Sequence, residues 1–226
     1  MYKNMPNISG NISYIKSQLP SSVKLVAVSK TKPVTDIIEA YNAGQRSFGE
    51  NRVQELLNKK DLLPKDIEWH LIGHLQSNKV KFIVPFISMI QSIDSYKLLV
   101  TVNSEAIKVG RIVDCLLQIY IAAEETKFGF PMNELSENLQ SADILNLRNV
   151  RICGVMSMAT FTSDTDQVRK EFRYLKDCFH SLKNRYFESA SAFKEISMGM
   201  SGDYKIAVNE GSTMVRIGSL IFGERK

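Results

Sequence analysis

The chain has 226 residues, 44% hydrophobic and 23% charged, with 29 Lys plus Arg against 24 Asp plus Glu and a net charge of +5. That length and balance suit one globular domain with a substantial core and exclude a disordered or fibrous chain. The basic excess is spread thinly, with no dense Lys/Arg run, which argues against a nucleic-acid surface and leaves a mild positive field suited to a small anionic ligand.

The opening MYKNMPNISGN lacks the apolar core of a secretory signal. Ile8, Ile12, Ile15 and Leu19 mark one face of a first helix. Apolar, strand-like runs then begin near Lys24, Arg46, Glu68, Ile87, Val113, Arg151, Lys194 and Thr213. Helical patterns fill most of the gaps. Val34, Ile37, Ile38 and Tyr41 form one, closed by Gly44; Val53, Leu56 and Leu57 form the next; Phe172, Leu175, Phe179 and Leu182 form a longer one. The longest apolar stretch, Val113 to Ala123, carries Asp114 and Gln118 and falls far short of the roughly 20 residues that span a bilayer, so no membrane span is expected. Cys115, Cys153 and Cys178 are far apart within apolar segments. They read as buried free thiols in a reducing cytoplasm, with neither a disulfide framework nor zinc spacing. His70 and His74 lie four apart, but Gly73 interrupts them and IEWHLIGH reads as a strand entering a loop. One structural and one loop histidine are expected there, and no metal site.

Eight alternations of strand and helix, without a linker, predict a single α/β domain over residues 1–226. The architecture is a (β/α)8 TIM barrel with an extra N-terminal helix. A doubly wound open sheet is the runner-up. It needs a reversal of strand order, and the usual glycine-rich fingerprint after the first strand is replaced by SKTKP.

In a barrel, function gathers at the C-terminal ends of the strands. Here those ends are residues 29–32, 48–51, 73–76, 92–94, 124–127, 156–158, 197–201 and 216–219, all polar or glycine-containing. The first end, KLVAVSKTKP, sets Lys30 at the finish of strand one with Lys32 beside it and Pro33 stopping the strand. An amine attacks a carbonyl only when neutral, and a neighbouring cation lowers a lysine pKa from its usual value of about 10.4. That arrangement suits a Schiff-base lysine; a solvated lysine pair ahead of a helix is the plain alternative. At the other end, GSTMVRIGSLIFGE puts Gly218 and Ser219 after strand eight, and SMGMSGDYKIA puts Ser201 and Asp203 where they would cap a helix starting near Tyr204. Small residues there are either simple caps or donors of backbone N–H groups to a phosphate. A phosphate site after strands seven and eight recurs in barrels. With Arg216 pointing inward between them, these features describe a pocket for pyridoxal 5′-phosphate (PLP).

The segments AVSKTKP, FGENRVQE, WHLIGHLQSNK, QSIDS, EETKFG, SMGMSGDY and GSTMVRIGSLIFGER resemble those of the pyridoxal-phosphate homeostasis protein family, over almost the whole chain. The resemblance implies an alanine-racemase-type barrel with PLP as an aldimine on Lys30. It also implies that Asn51 flanks the ring, Arg216 faces the pyridine nitrogen, and Ser201, Gly218 and Ser219 hold the phosphate. Tyr120 and His74 depart from the family pattern, which often has asparagine and proline there.

Related racemases complete their site with a C-terminal β-domain and a second acid/base group, whereas this chain ends at Lys226, just after the last barrel turn. A protonated Arg216 beside the ring nitrogen also weakens the ring as an electron sink, and because racemases of this fold share that arginine it excludes aminotransferase-like chemistry more strongly than racemisation. The expectation is a monomeric, cytoplasmic PLP-binding protein without turnover, which holds PLP and supplies PLP-dependent apo-enzymes. The alternative is a PLP-dependent amino-acid racemase, and a third reading is a cofactor-free Schiff-base aldolase. Lys32, Lys79 and Lys127 stand open as second PLP sites.

Overall fold

In the computed structural model, which describes residues 7–121, 128–140, 144 and 146–224, eight parallel strands close into a barrel in sequence order. The chain enters through α1 (Ile8–Gln18), capped by Asn7, whose side chain accepts from the Gly10 N–H. It continues through β1 (Lys24–Val28), α2 (Val34–Asn42), β2 (Ser47–Glu50), α3 (Val53–Lys60) and β3 (Glu68–Leu71). A 3-10 turn (Ser77–Lys79) leads into α4 (Val80–Ile83), followed by β4 (Met89–Ile93), α5 (Tyr96–Lys108), β5 (Val113–Gln118) and α6 (Met132–Gln140). The last third holds β6 (Val150–Met156), α7 (Thr165–Tyr186), β7 (Glu195–Ser197), α8 (Tyr204–Asn209), β8 (Met214–Ile217) and α9 (Ser219–Phe222).

All eight strands start within two residues of the positions marked by the apolar runs. The runs are continuous because a parallel strand under helices is buried on both faces. Inside the barrel, Val26, Met89, Leu116, Cys153, Met156 and Met214 form one cluster. Outside it, Leu25, Ala27, Phe48, Leu117 and Ile217 join the larger core beneath the helices. The open doubly wound sheet is ruled out, because β8 pairs back onto β1 with Lys24 to Ala27 opposite Met214 to Ile217. The extra helix α1 buries Ile8, Ile12 and Ile15 and packs on α2 and α9, where Asn11 Nδ2 donates to the Ile221 carbonyl at 3.0 Å. All three cysteines are buried free thiols.

One glycine is required by the closure itself. The β5–β6 register shifts beside Cys115, and Gly154 meets Glu195 across β6 and β7 with φ 149°. A Cβ there would stand 1.9 Å from the Glu195 carbonyl oxygen. Gly154→Ala is therefore expected to destabilise the barrel by about 3 kcal/mol or more, from backbone strain and overpacking together. Denaturant unfolding of the variant checks this; an unchanged midpoint would show that the two strands have room to part.

Candidate ligand-binding site

β1 ends at Val28, so Lys30 is not the last strand residue that its pattern suggested but lies in the turn beyond it. Ser29 prolongs the ladder by donating its N–H to the Gly49 carbonyl at 3.0 Å. The chain then reverses at Thr31, the sole described non-glycine residue with positive φ (65°). A β-branched residue in that region costs about 1–3 kcal/mol, so its neighbours must impose it. Lys32 Nζ donates to the carbonyls of Phe222, Gly223 and Glu224 at 2.9, 3.0 and 3.3 Å, capping the end of α9.

Beyond β2, Asn51 keeps its Oδ1 buried without a hydrogen-bond partner. The loop after β3 runs so close that a Cβ on Gly73 would stand 2.4 Å from the Asn51 carbonyl oxygen. After β7, α8 does start at Tyr204, but Asp203 does not cap it as expected. Its carboxylate reaches back to the Met200 N–H at 2.5 Å, tightening the Met200–Asp203 turn. Ser201 Oγ accepts the Gly218 N–H at 3.3 Å and so stitches the β7 and β8 loops together. Gly218 lies flush on β1, where a Cβ would come within 3.2 Å of the Val28 carbonyl oxygen.

Arg216, 3% exposed, lies inside the barrel mouth. Its Nη1 donates to Ser197 Oγ at 2.6 Å and its Nη2 to the Ser157 carbonyl at 2.7 Å. The chain of bonds continues inward. Ser197 Oγ donates to Gln91 Oε1 at 2.7 Å, and Gln91 Nε2 meets His70 Nδ1 at 2.8 Å. Burial lowers the His70 pKa to about 4, so the ring is neutral at pH 7 and Nδ1 accepts from Gln91. Burial also lowers the Arg216 pKa to about 10, with Asp203 pulling the other way, which still leaves the guanidinium charged at neutral pH. The Asp203 carboxyl is raised by burial, against the Met200 N–H and Arg216.

These segments enclose a cavity of about 370 Å³ on the C-terminal rim, and Lys30, Asn51, Ser201, Arg216, Gly218 and Ser219 all line it. Its volume lies within the roughly 300–1,000 Å³ of small-molecule sites. Lys30, Lys32 and Arg216 face a single carboxyl group, Asp203, so the lining favours an anion. Residue pattern did not single out Val28, Ile72, Met158, Met200 or the 98% exposed Phe161, which complete the wall. Other residues considered as ligands are elsewhere. Lys79 Nζ lies 5.8 Å from the Phe82 ring centroid, and His74 pairs with Asp94 Oδ2 at 2.9 Å while stacking on Phe128. Tyr120 sits beside Phe128 and Met158 in a smaller cleft. Lys127 and its neighbours 124–126 lie outside the described residues.

One rim of this closed (β/α)8 barrel thus collects a lysine, a buried arginine and small-residue loops around a single cavity. The family model described as alanine racemase, N-terminal domain, matches residues 4–226. The pyridoxal phosphate homeostasis protein of Aquifex aeolicus is 40% identical over 204 residues, covering 90% of this chain and 87% of that one. The human protein of the same name is 42% identical over 214 residues, covering 89% and 76%. Among solved structures, PipY of Synechococcus elongatus with PLP bound superposes with a TM-score of 0.88 at 36% identity, covering 96% of this chain and 100% of that one. An alanine racemase of Clostridium difficile, at 15% identity and TM-score 0.76, shares the fold, and this chain covers 57% of it. The chain belongs to the alanine racemase N-terminal domain family, and within it to the pyridoxal phosphate homeostasis proteins.

The chain of bonds behind Arg216 makes a pH prediction. An unfolded histidine gains its proton near pH 6.5, but folded His70 does so only at about 4, so the unfolded state binds more protons in between. Stability should therefore fall as pH drops from about 6.5 to about 4, by an amount on the order of 3 kcal/mol from this residue. His70→Gln should flatten that segment of the stability–pH curve. An unchanged slope would mean that other groups drive the acid loss.

Proposed function

We propose that the whole chain acts as one PLP-binding barrel domain, holding PLP in the rim cavity as an aldimine on Lys30. The observation that carries this reading is that the six residues expected to touch the cofactor line one cavity. The similarity to PipY, solved both with and without PLP, supports the same reading.

Each residue then has a task. Lys30 would hold the aldehyde group of the cofactor through its side-chain amine, which is nucleophilic only in its neutral form. Ser201, Gly218 and Ser219 offer hydroxyl and backbone N–H groups to the phosphate, and the Gly218 N–H would exchange its long bond to Ser201 for one to the ligand. Arg216 donates and cannot accept, so it leaves the pyridine nitrogen unprotonated. Bound PLP supplies an electron sink for amino-acid chemistry, and an unprotonated ring weakens that sink. A racemase would also need a second acid/base group at the cofactor, and neither His74 nor Tyr120 lines the cavity. The function is thus PLP storage and delivery to PLP-dependent apo-enzymes, by a monomer in the cytoplasm. Support for that compartment comes from the three buried free thiols, and among the described residues no helix is long and apolar enough to cross a membrane.

Absorption spectroscopy tests the proposal. Protein loaded with PLP should turn yellow, and Lys30→Ala should lose the band. The loaded protein should exchange no substantial α-proton of common amino acids in deuterated water, yet pass PLP to an apo-enzyme. A colourless protein that ignores added PLP would overturn the cofactor assignment. Rapid exchange abolished by Lys30→Ala would instead make the protein a racemase.

A further inference from the structure

Behind the cavity wall lies a buried ionic cluster that the binding scheme leaves without a task. Glu50 is fully buried at the end of β2, and Lys59 and Glu55 lie on α3 with side chains 9% and 22% exposed. Lys59 Nζ donates to Glu50 Oε1 at 2.9 Å and to Glu55 Oε1 at 2.6 Å, so two carboxylates share one ammonium. Glu50 Oε2 is buried with no partner at all. Such a cluster is a poor stabiliser, because desolvating three charges costs more than an apolar replacement of the same volume. Its contacts suggest what it is for.

We propose that Glu50, Lys59 and Glu55 are positioning residues that fix the backbone on both sides of Lys30. The peptide before Lys30 is held at its carbonyl, since Lys59 Nζ donates to the Ser29 oxygen at 2.9 Å. The peptide after Lys30 is held at its N–H, since Thr31 N donates to Glu55 Oε1 at 2.5 Å. Ser29 Oγ adds a third tie by donating to Glu50 Oε1 at 2.7 Å. Both peptide planes that flank the Lys30 Cα are thereby bonded to one rigid cluster. This is the outside restraint that the left-handed Thr31 requires. Within the turn, Lys32 N donates to the same Ser29 oxygen at 3.0 Å. The cluster sets the direction in which Lys30 leaves the chain, and hence its approach to an aldehyde held by the β7 and β8 loops.

The inference rests on Lys30 being the residue that bonds the cofactor, and the test separates the two ideas. Stopped-flow absorbance follows band formation after PLP is mixed with wild type, Glu55→Ala and Glu55→Gln. Pyridoxine 5′-phosphate, which has the ring and phosphate but an alcohol in place of the aldehyde, reports binding without the covalent step. Glu55→Ala should slow band formation by about tenfold to a hundredfold, as expected for a misplaced reacting group. Its affinity for pyridoxine 5′-phosphate should match wild type. Glu55→Gln, whose amide oxygen still accepts the Thr31 N–H, should recover most of the rate. Glu50→Gln combined with Lys59→Met removes the buried pair together and should slow the band in the same way, which decides the matter if the alanine variant does not fold. Unchanged rates in the variants, or parallel losses with both ligands, would overturn the positioning role alone. A wild-type protein that binds both ligands without forming a band would overturn the role of Lys30 and this inference with it.

Discussion

Closure of β8 onto β1 is the constraint on which the site depends. Four residue pairs, Lys24–Met214 to Ala27–Ile217, bring the first strand of the chain against the last. That pairing puts Lys30 beside Gly218 and Ser219, though nearly the whole chain separates them in sequence. Further ties reinforce it: Lys32 holds three carbonyls at the end of α9, and Asn11 of α1 reaches the Ile221 carbonyl. Opening this one seam would separate Lys30 from the loops after β7 and β8 while leaving most of the other strand pairs intact. The barrel's binding power is therefore a non-local property, built from loops that no short segment contains.

The interior supports that rim with polar groups in place of a uniformly apolar filling. A barrel lumen is usually packed with branched aliphatic side chains. Here a hydrogen-bonded chain of Arg216, Ser197, Gln91 and His70 runs through it beside a cluster rich in methionine. Each member is satisfied by the next, which is the condition under which buried polar groups specify one arrangement instead of weakening it. The chain orients the guanidinium at the cavity floor, and its charge survives burial because a pKa of about 10 is still well above neutrality. Together with Lys30 and Lys32, it outweighs Asp203 and gives the cavity a positive field for an anionic ligand.

How much of this could be read from residues follows from which interactions are local. The strands were legible because burial on both faces leaves unbroken apolar runs, and the alternation with helices led directly to a closed barrel. The six candidate ligands were legible through the rim rule and the resemblance of motifs, and they do line one cavity. Tertiary reversals were not legible. Nothing in a threonine announces a φ of 65°, so Lys30 was placed at a strand end when it sits in a turn. Asp203 looked like a helix cap because it precedes α8, but the tight turn drew its carboxylate to Met200. Glu55 and Lys59 lie four apart on α3, and nothing in that spacing marks them out. Only packing against β2 shows that Lys59 is buried and shared with Glu50.

The central claim is that Lys30, and no other amine, meets a phosphate-bearing aldehyde held by the β7 and β8 loops. Borohydride reduction of the PLP-loaded protein, followed by peptide mapping with mass spectrometry, tests it most directly. Reduction should leave one phosphopyridoxyl group per chain, on Lys30, in the peptide that contains Ser29 to Lys32. A label on Lys32, Lys79 or Lys127 with Lys30 unmodified would contradict the claim and move the site elsewhere on the barrel.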